Sequence, residues 1–181
     1  MLRSLHPRAL FLSALALALV PLLAGCFETK YSLGPPESAT VNVAYVGDWD
    51  VIDRDDPAKE RKTHIVIRNI DNKRYFVEWT DPDHADKPTR FVGFTADVKG
   101  VTFAHLRSLA DDGTIPDTHL IMRVELRENG QQLALHNLHK EYFDDKAIDS
   151  DAKLRQVVEK GLDDAEMYDE GEVMAVKVPS K

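Results

Sequence analysis

Cysteine is nearly absent from this chain, whose 181 residues include one, Cys26. A single thiol excludes an intrachain disulfide, and it excludes the paired cysteines of a zinc ribbon or a dithiol redox site. The fold is therefore expected to depend on its hydrophobic core alone, which about 140 residues can build in a single domain.

Basic residues are also scarce, with 23 Lys and Arg against 31 Asp and Glu. Residues 1–25 hold two of the basic residues and no acidic one, so the remaining chain carries a net charge of −10. An acidic surface repels phosphate groups. We therefore predict no nucleic-acid partner.

Only one long hydrophobic run is present, over residues 9–23. It is shorter than the ~20 apolar residues of a transmembrane helix, and it contains Pro21. Arg3 and Arg8 precede the run and small residues follow it. This order is typical of a signal peptide, which we place at residues 1–25.

The end of that segment, Leu23-Ala24-Gly25-Cys26, resembles the lipobox of bacterial lipoproteins at every position. The resemblance implies cleavage before Cys26 and attachment of a diacylglycerol to its thiol, usually with an amide-linked acyl chain. A thiolate is a strong nucleophile, and two or more acyl chains hold a protein stably on a bilayer. We therefore predict that Cys26 is the lipid-attachment residue and that the protein is anchored to a membrane of the cell envelope.

The residue after the cysteine bears on which membrane that is. In proteobacterial lipoproteins an aspartate there retains the protein at the inner membrane, and this chain has Phe27. The resemblance thus favours the outer membrane, facing the periplasm, with the inner membrane as the alternative.

Residues 26–40 predict a flexible tether, because they are mostly polar, include Gly34-Pro35-Pro36 and show no hydrophobic period. Fourteen extended residues, 27–40, span at most roughly 45 to 50 Å. The tether would let the domain over 41–181 stand clear of the lipid head groups.

That domain alternates apolar and polar residues in short runs, the pattern of half-buried strands. Eight strands are predicted, at 45–53, 63–70, 74–81, 90–98, 101–109, 118–126, 131–139 and 172–179. The fold class is therefore mainly β, an eight-stranded antiparallel meander closed into a barrel. One short helix precedes the last strand, since Leu154, Val157, Val158 and Leu162 share a helical face between a cap at Asp149 or Ser150 and Gly161.

Three turns predict registers. A two-residue turn at Asn129-Gly130 places Leu126 opposite Leu133, and a three-residue loop over 71–73 places Ile65 opposite Trp79. A tight turn at Lys99-Gly100 pairs Phe94 with His105 and Ala96 with Phe103. We interpret the last two pairs as facing inward, together with Arg107.

The first strand carries Gly47-Asp48-Trp49, the short Gly-x-Trp signature of the lipocalin and wider calycin barrels. The chain resembles that family in its meander as well. In the family the tryptophan closes one end of the barrel beneath an arginine from the last strand, where this chain offers Lys177. The Thr-Asp-Tyr segment of the family is missing, and the helix lies before the eighth strand rather than after it.

The predicted pocket follows from these faces and from the large aromatics that dominate small barrels. Its lining is predicted to be Trp49, Tyr75, Trp79, Phe94, Phe103 and His105. His139, opposite Leu120 by the Asn129-Gly130 register, is the other histidine predicted to face inward, whereas His64, His119 and His136 face outward.

No catalytic constellation, cofactor motif or metal-ligand spacing is recognisable, so we predict no enzymatic activity, no cofactor and no metal.

Two functions remain open. One is a lipocalin-like module that binds a small apolar ligand, which requires a cavity of several hundred Å³. The other is an envelope interaction or assembly protein with a filled barrel, acting through an exposed patch near 165–168 or along the edge of the last strand. An envelope hydrolase, with His105 or His139 beside an acid, is a distant third.

Overall fold

The computed structural model describes residues 27–52 and 62–179. The predicted signal peptide, Cys26 and residues 53–61 lie outside these ranges. Nine strands are present: β1 Glu28–Thr29, β2 Gly47–Ile52, β3 His64–Asn69, β4 Tyr75–Thr80, β5 Thr89–Val98, β6 Val101–Ser108, β7 His119–Arg127, β8 Gln132–Asn137 and β9 Val173–Lys177. The α-helices are α1, Lys140–Asp144, and α2, Asp151–Gly161.

Strands β2 to β9 form a closed antiparallel barrel. Each pairs with the next along the chain, and β9 returns to pair with β2. The ninth strand, β1, lies outside this ring and pairs with the start of β7. The predicted mainly-β meander barrel, with its helix before the last strand, is confirmed.

The predicted registers are confirmed as well. Leu126 pairs with Leu133, Ile65 with Trp79 and Phe94 with His105. The Asn129-Gly130 turn differs in detail, because Glu128 and Asn129 both have positive φ and a 3-10 turn, Glu128–Gly130, closes the loop between the paired Arg127 and Gln132. The longer loop keeps the same register.

The helix prediction is also confirmed. Ser150 caps α2 by accepting a hydrogen bond from the Lys153 N–H at 3.2 Å, and the helix ends at Gly161. Leu154, Val157 and Val158 are buried on its apolar face. That face packs on the outside of the barrel, against Phe103 and Ile121.

The inward assignment of β5 and β6 is wrong. Phe103 belongs to the core outside the wall with Leu154, whereas its neighbour Ala104 packs inside with Trp49 and Tyr75. Phe94 and His105 are paired on the same outer face as Phe103, and Arg107 follows them there. The reason is that β5 to β7 are buried on both faces, so hydrophobic alternation does not distinguish inside from outside.

The prediction of a flexible tether over 26–40 is contradicted for residues 27–34 by their packing. Phe27 is 7% exposed and stacks on Phe143 at 4.1 Å between ring centroids, and its N–H donates to the Leu138 carbonyl at 3.1 Å. Leu33 is 1% exposed in the outer core. The apolar residues scattered through this segment cover the barrel wall, a long-range contact that local composition does not encode.

Two further expectations fail at the end of β8. The strand stops at Asn137, so His139 does not pair with Leu120 and instead occupies the position before the first residue of α1, without a side-chain capping hydrogen bond. Glu28 of β1 pairs with Leu120. The last strand, β9, pairs with β2 along one edge and with β8 along the other. It therefore has no free edge for a partner, contrary to the prediction.

Within the residues described, no helix is both long enough and apolar enough to cross a bilayer.

Candidate functional site: the barrel interior and its outer grooves

The barrel interior contains one apolar cavity of about 60 Å³. Its walls come mainly from the strands β3 to β8 and include Ile67, Val77, Met122, Val124, Leu133 and Leu135. Buried aliphatic side chains fill the rest of the lumen. The cavity is much smaller than the several hundred Å³ that sites for drug-sized or lipid ligands occupy.

One end of the barrel is closed around Trp49, which is fully buried. Its indole N–H donates to the Tyr45 carbonyl at 3.0 Å. The Tyr45 ring meets that of Tyr75 edge-on at 6.4 Å, and the Tyr75 hydroxyl accepts from the Asn42 N–H at 2.7 Å. These contacts satisfy the polar atoms of the aromatic end, so it is a closed floor rather than a pocket.

Lys177 lies over this floor. Its ammonium is 5.0 Å from the Trp49 ring centroid and donates to the Ala44 carbonyl at 3.0 Å. A Cβ on Gly47 would come within 2.8 Å of the Lys177 Cε. Gly47 therefore leaves room for the lysine stem, and the Lys177 ammonium makes a cation–π contact with the Trp49 ring.

The six residues predicted to form a pocket are divided by the barrel wall. Tyr75 and Trp79 border the cavity, and Trp49 packs in the same interior core. Phe103 and His105 lie on the outside. Phe94 also borders the cavity, but its ring stacks on His105 outside the wall at 4.7 Å.

The outer aromatic group consists of Phe94, His105 and His119. The two histidine rings meet edge-on at 5.5 Å, and His119 is 5.9 Å from Phe94. Burial, with His119 as a further cause, lowers the pKa of His105 to about 3. Burial also lowers the pKa of His119. Both rings are therefore neutral at neutral pH.

Comparison with protein-family models, with curated proteins and with solved structures finds no match to this chain.

A groove of about 780 Å³ lies between α1 and the 3-10 turn Ala165–Met167. Tyr142 and Tyr168 form its aromatic part, and the other lining residues are His139, Glu141, Ala165, Glu166, Asp169 and Glu170. Desolvation raises the pKa of Asp169, with His139 opposing. The groove is thus acidic with aromatic walls, and the apolar patch predicted near 165–168 is not what it presents, because Met167 is buried beneath it.

A second, more polar cleft of about 370 Å³ lies where the N-terminal segment meets the hairpin of β5 and β6. Hydroxyl groups and one guanidinium line it, from Ser38, Thr40, Tyr45, Thr95, Thr102 and Arg155. Arg155 is already engaged, donating to the carbonyls of Leu33 at 2.6 Å and Asp97 at 3.1 Å. The cleft therefore serves mainly to join the segment to the barrel.

No group of three or more His, Cys, Asp or Glu converges as a metal site among residues 27–52 and 62–179. His64 lies 2.8 Å from Asp50 and His136 lies 3.0 Å from Glu172, both on the outer face. These are ion-pair geometries on strands that face solvent, without a third ligand.

Sequence reasoning missed the groove and the buried histidine pair. One signal for the pair was present in β7, where Leu120, Ile121 and Met122 are consecutive apolar residues. A strand with one solvated face alternates, so an unbroken run indicates burial on both faces. The groove had no such signal, because its residues come from two segments separated in the chain.

Proposed function

We propose that this chain is a lipid-anchored protein of the bacterial cell envelope whose barrel is a filled scaffold and whose function lies on its surface. The filled scaffold is supported by the small volume of the interior cavity, about 60 Å³. A carrier of lipids or similar ligands needs several times that space. The lipobox-like sequence ending at Cys26 supports the anchor.

The groove beside α1 is the best-supported working surface. Its four carboxylates suit a partner segment that presents lysine or arginine, because such side chains pair with carboxylates. The tyrosine rings already lie beside cations of the chain, Lys146 at 4.8 Å from Tyr142 and Arg123 at 5.7 Å from Tyr168. The groove is also close to the anchor. Phe27 stacks on Phe143 of α1, and residue 26 directly precedes Phe27, one peptide unit or about 3.8 Å away between Cα atoms.

The anchor is tested by Cys26→Ser, with the wild-type chain in parallel. Membrane fractionation and metabolic labelling with palmitate are expected to show loss of both membrane attachment and label. A variant that remains membrane-bound and acylated would show that the anchor is elsewhere.

The filled interior is tested by titrating the purified protein with a fluorescent fatty acid. No saturable binding is expected, since the cavity does not accommodate an acyl chain. Ala104→Leu, which fills part of the cavity, is the matched control. Saturable binding that Ala104→Leu abolishes would establish a carrier instead.

The surface is tested in cells with a photo-crosslinking residue at Tyr168, which is half-buried at the groove. A discrete crosslinked product is expected, and Glu166→Lys with Glu170→Lys should abolish it. Asp83→Lys with Asp86→Lys, an equal charge change at two exposed residues between β4 and β5, should not. A product that survives the double reversal, or none at all, contradicts a working role for the groove.

A second candidate, binding of a very small apolar ligand inside the barrel, is favoured by the wholly apolar lining of the cavity. Its size limits the ligand to a few heavy atoms. Xenon is a suitable probe, and a xenon-dependent NMR shift at Met122 that Ala104→Leu removes is the result expected for this candidate.

A further inference from the structure

The N-terminal segment over 27–34 is held on the barrel wall by the pairing of β1 with β7, by the buried side chains of Phe27 and Leu33, and by a set of polar contacts around Ser32. The Ser32 N–H donates to Asp151 at 2.9 Å and its hydroxyl to the same carboxylate at 3.2 Å. Arg155 donates to the Leu33 carbonyl at 2.6 Å. All three contacts join the segment to α2 rather than to the barrel itself.

One contact joins the segment to the barrel through a titratable ring. The Leu33 N–H donates to Nε2 of His105 at 3.4 Å. Accepting that bond requires Nε2 to be unprotonated, so the proton of the neutral ring is on Nδ1. His105 is fully buried, and its Nδ1 has no hydrogen-bond partner among the described residues.

His119 is the neighbour of this ring and shares its situation. It is 8% exposed, and its Nδ1 is also buried without a partner in the part of the chain that the structure describes. The charged groups that act on it are Arg107, which opposes protonation, and Asp151 and Asp117, which favour it. Phe94, stacked on His105 from β5, contributes no charge.

We propose that residues 27–34 are a pH-sensitive strap, docked on the barrel while His105 and His119 are neutral and released when they are protonated. Protonation converts Nε2 of His105 from an acceptor into a donor that points at the Leu33 N–H. It also places a positive charge in an apolar layer beside a second histidine. When residues 27–34 leave the wall, both histidine rings are exposed to water. The clash of two donors and the burial of the charge are then both relieved.

The direction of the effect follows from linkage. In the docked state the pKa of His105 is about 3, and in the released state its exposed ring has the ordinary value of about 6.5. Protons therefore bind the released state preferentially, and docking weakens as pH falls below about 6.5. At pH 4.5 the docking equilibrium constant is expected to fall by roughly 100-fold from this group alone.

Release would change how far the barrel stands from its membrane, a consequence that rests on the proposed lipid anchor. With the strap docked, Cys26 is next to the buried Phe27 and the barrel is held close to the head groups. With residues 27–34 free, the reach grows to roughly 25 to 30 Å. The strap itself, and its test, do not depend on the anchor.

The test is amide hydrogen exchange on the full chain in detergent micelles at pH 7 and pH 4.5, expressed as protection factors. Protection at Ser32 and Leu33 is expected to fall by roughly 100-fold, while that at Ile65 and Val77 in the β3–β4 pair stays within about threefold. A parallel ¹⁵N NMR titration of the wild-type protein is expected to show Nε2 of His105 unprotonated at pH 7 and gaining its proton over the same pH range. Unchanged protection of Leu33 relative to Val77 overturns the proposal.

The double variant His105→Phe with His119→Phe retains ring packing without titration, and its strap protection should no longer depend on pH. His64→Gln, a histidine on the opposite, solvated wall, should behave as wild type. Persistent pH dependence in the double variant would assign the effect to carboxylates and refute the histidine mechanism. If the double variant does not fold, the ¹⁵N titration decides: strap release without protonation of His105 refutes it equally.

Discussion

The molecule has two apolar cores, one on each side of the same wall. The interior core is enclosed by eight strands that pair all round, with Trp49 at its floor. The outer core, around Phe103 and Leu154, is covered by α2, α1 and the N-terminal segment. The interior core is enclosed by the continuous ladder of the barrel, whereas the outer core depends on segments docked by side-chain packing, by the two-residue pairing of β1 with β7 and by a few polar contacts. We therefore expect the outer core to open before the barrel does.

The largest effect is expected from Trp49→Ala, which removes a fully buried ring from the interior core. Its loss should lower the free energy of unfolding by about 3 to 5 kcal/mol and lower it for the whole barrel at once. Denaturant unfolding followed by circular dichroism measures this. Trp79→Ala, at a partly buried position of the same core, is the control and should cost less. Equal costs would show that the floor has no special role.

Leu154→Ala tests the outer core. Leu154 is fully buried, and its truncation should cost about 3 kcal/mol. The loss should be local: hydrogen exchange should accelerate in α2 and at Leu33 more than at Ile65 in β3. Equal acceleration of exchange in both cores would mean that they unfold as one unit, and it would contradict the expectation that the outer core opens first.

Gly93→Ala acts on the wall between the cores. An added Cβ would lie 2.4 Å from the His105 carbonyl oxygen and 2.6 Å from the Leu106 side chain. Since one of these atoms is backbone, β5 and β6 must move apart, at a cost of about 1 to 3 kcal/mol in thermal or denaturant unfolding. Gly34→Ala is the matched control, because its nearest contact would be Ala96 Cβ at an ordinary 3.5 Å. A Gly93→Ala variant as stable as Gly34→Ala would contradict the close approach.

The smallest effect is expected from Lys177→Met. It removes the hydrogen bond to the Ala44 carbonyl and the cation above Trp49 while keeping the apolar stem. The expected loss is about 1 kcal/mol or less, measured as a shift in the denaturant midpoint. Lys177→Arg keeps the cation and should retain most of the stability. If the Lys177→Met and Lys177→Arg variants have the same denaturant midpoint, the positive charge over the Trp49 indole contributes nothing to stability.

The strands and their registers were predictable because both are local. Turn residues such as Asn129-Gly130 and Lys99-Gly100 set the pairing, and alternation gives strand positions. Pairing alone does not say which face is inside. Phe94 and His105 were correctly placed opposite one another and still assigned to the wrong side, because an apolar residue in β5 or β6 is buried either way.

The sequence by itself determined the order of the eight barrel strands and the helix over Asp151–Gly161, since each depends on neighbouring residues or on short turns. Only the tertiary structure decided that residues 27–34 form a strap, that His105 and His119 are buried beneath it, and that the barrel interior is nearly full. These features depend on contacts between segments about 70 to 120 residues apart and on how side-chain volumes add up in the lumen. A short stretch of sequence specifies neither the long-range contacts nor the total side-chain volume in the lumen.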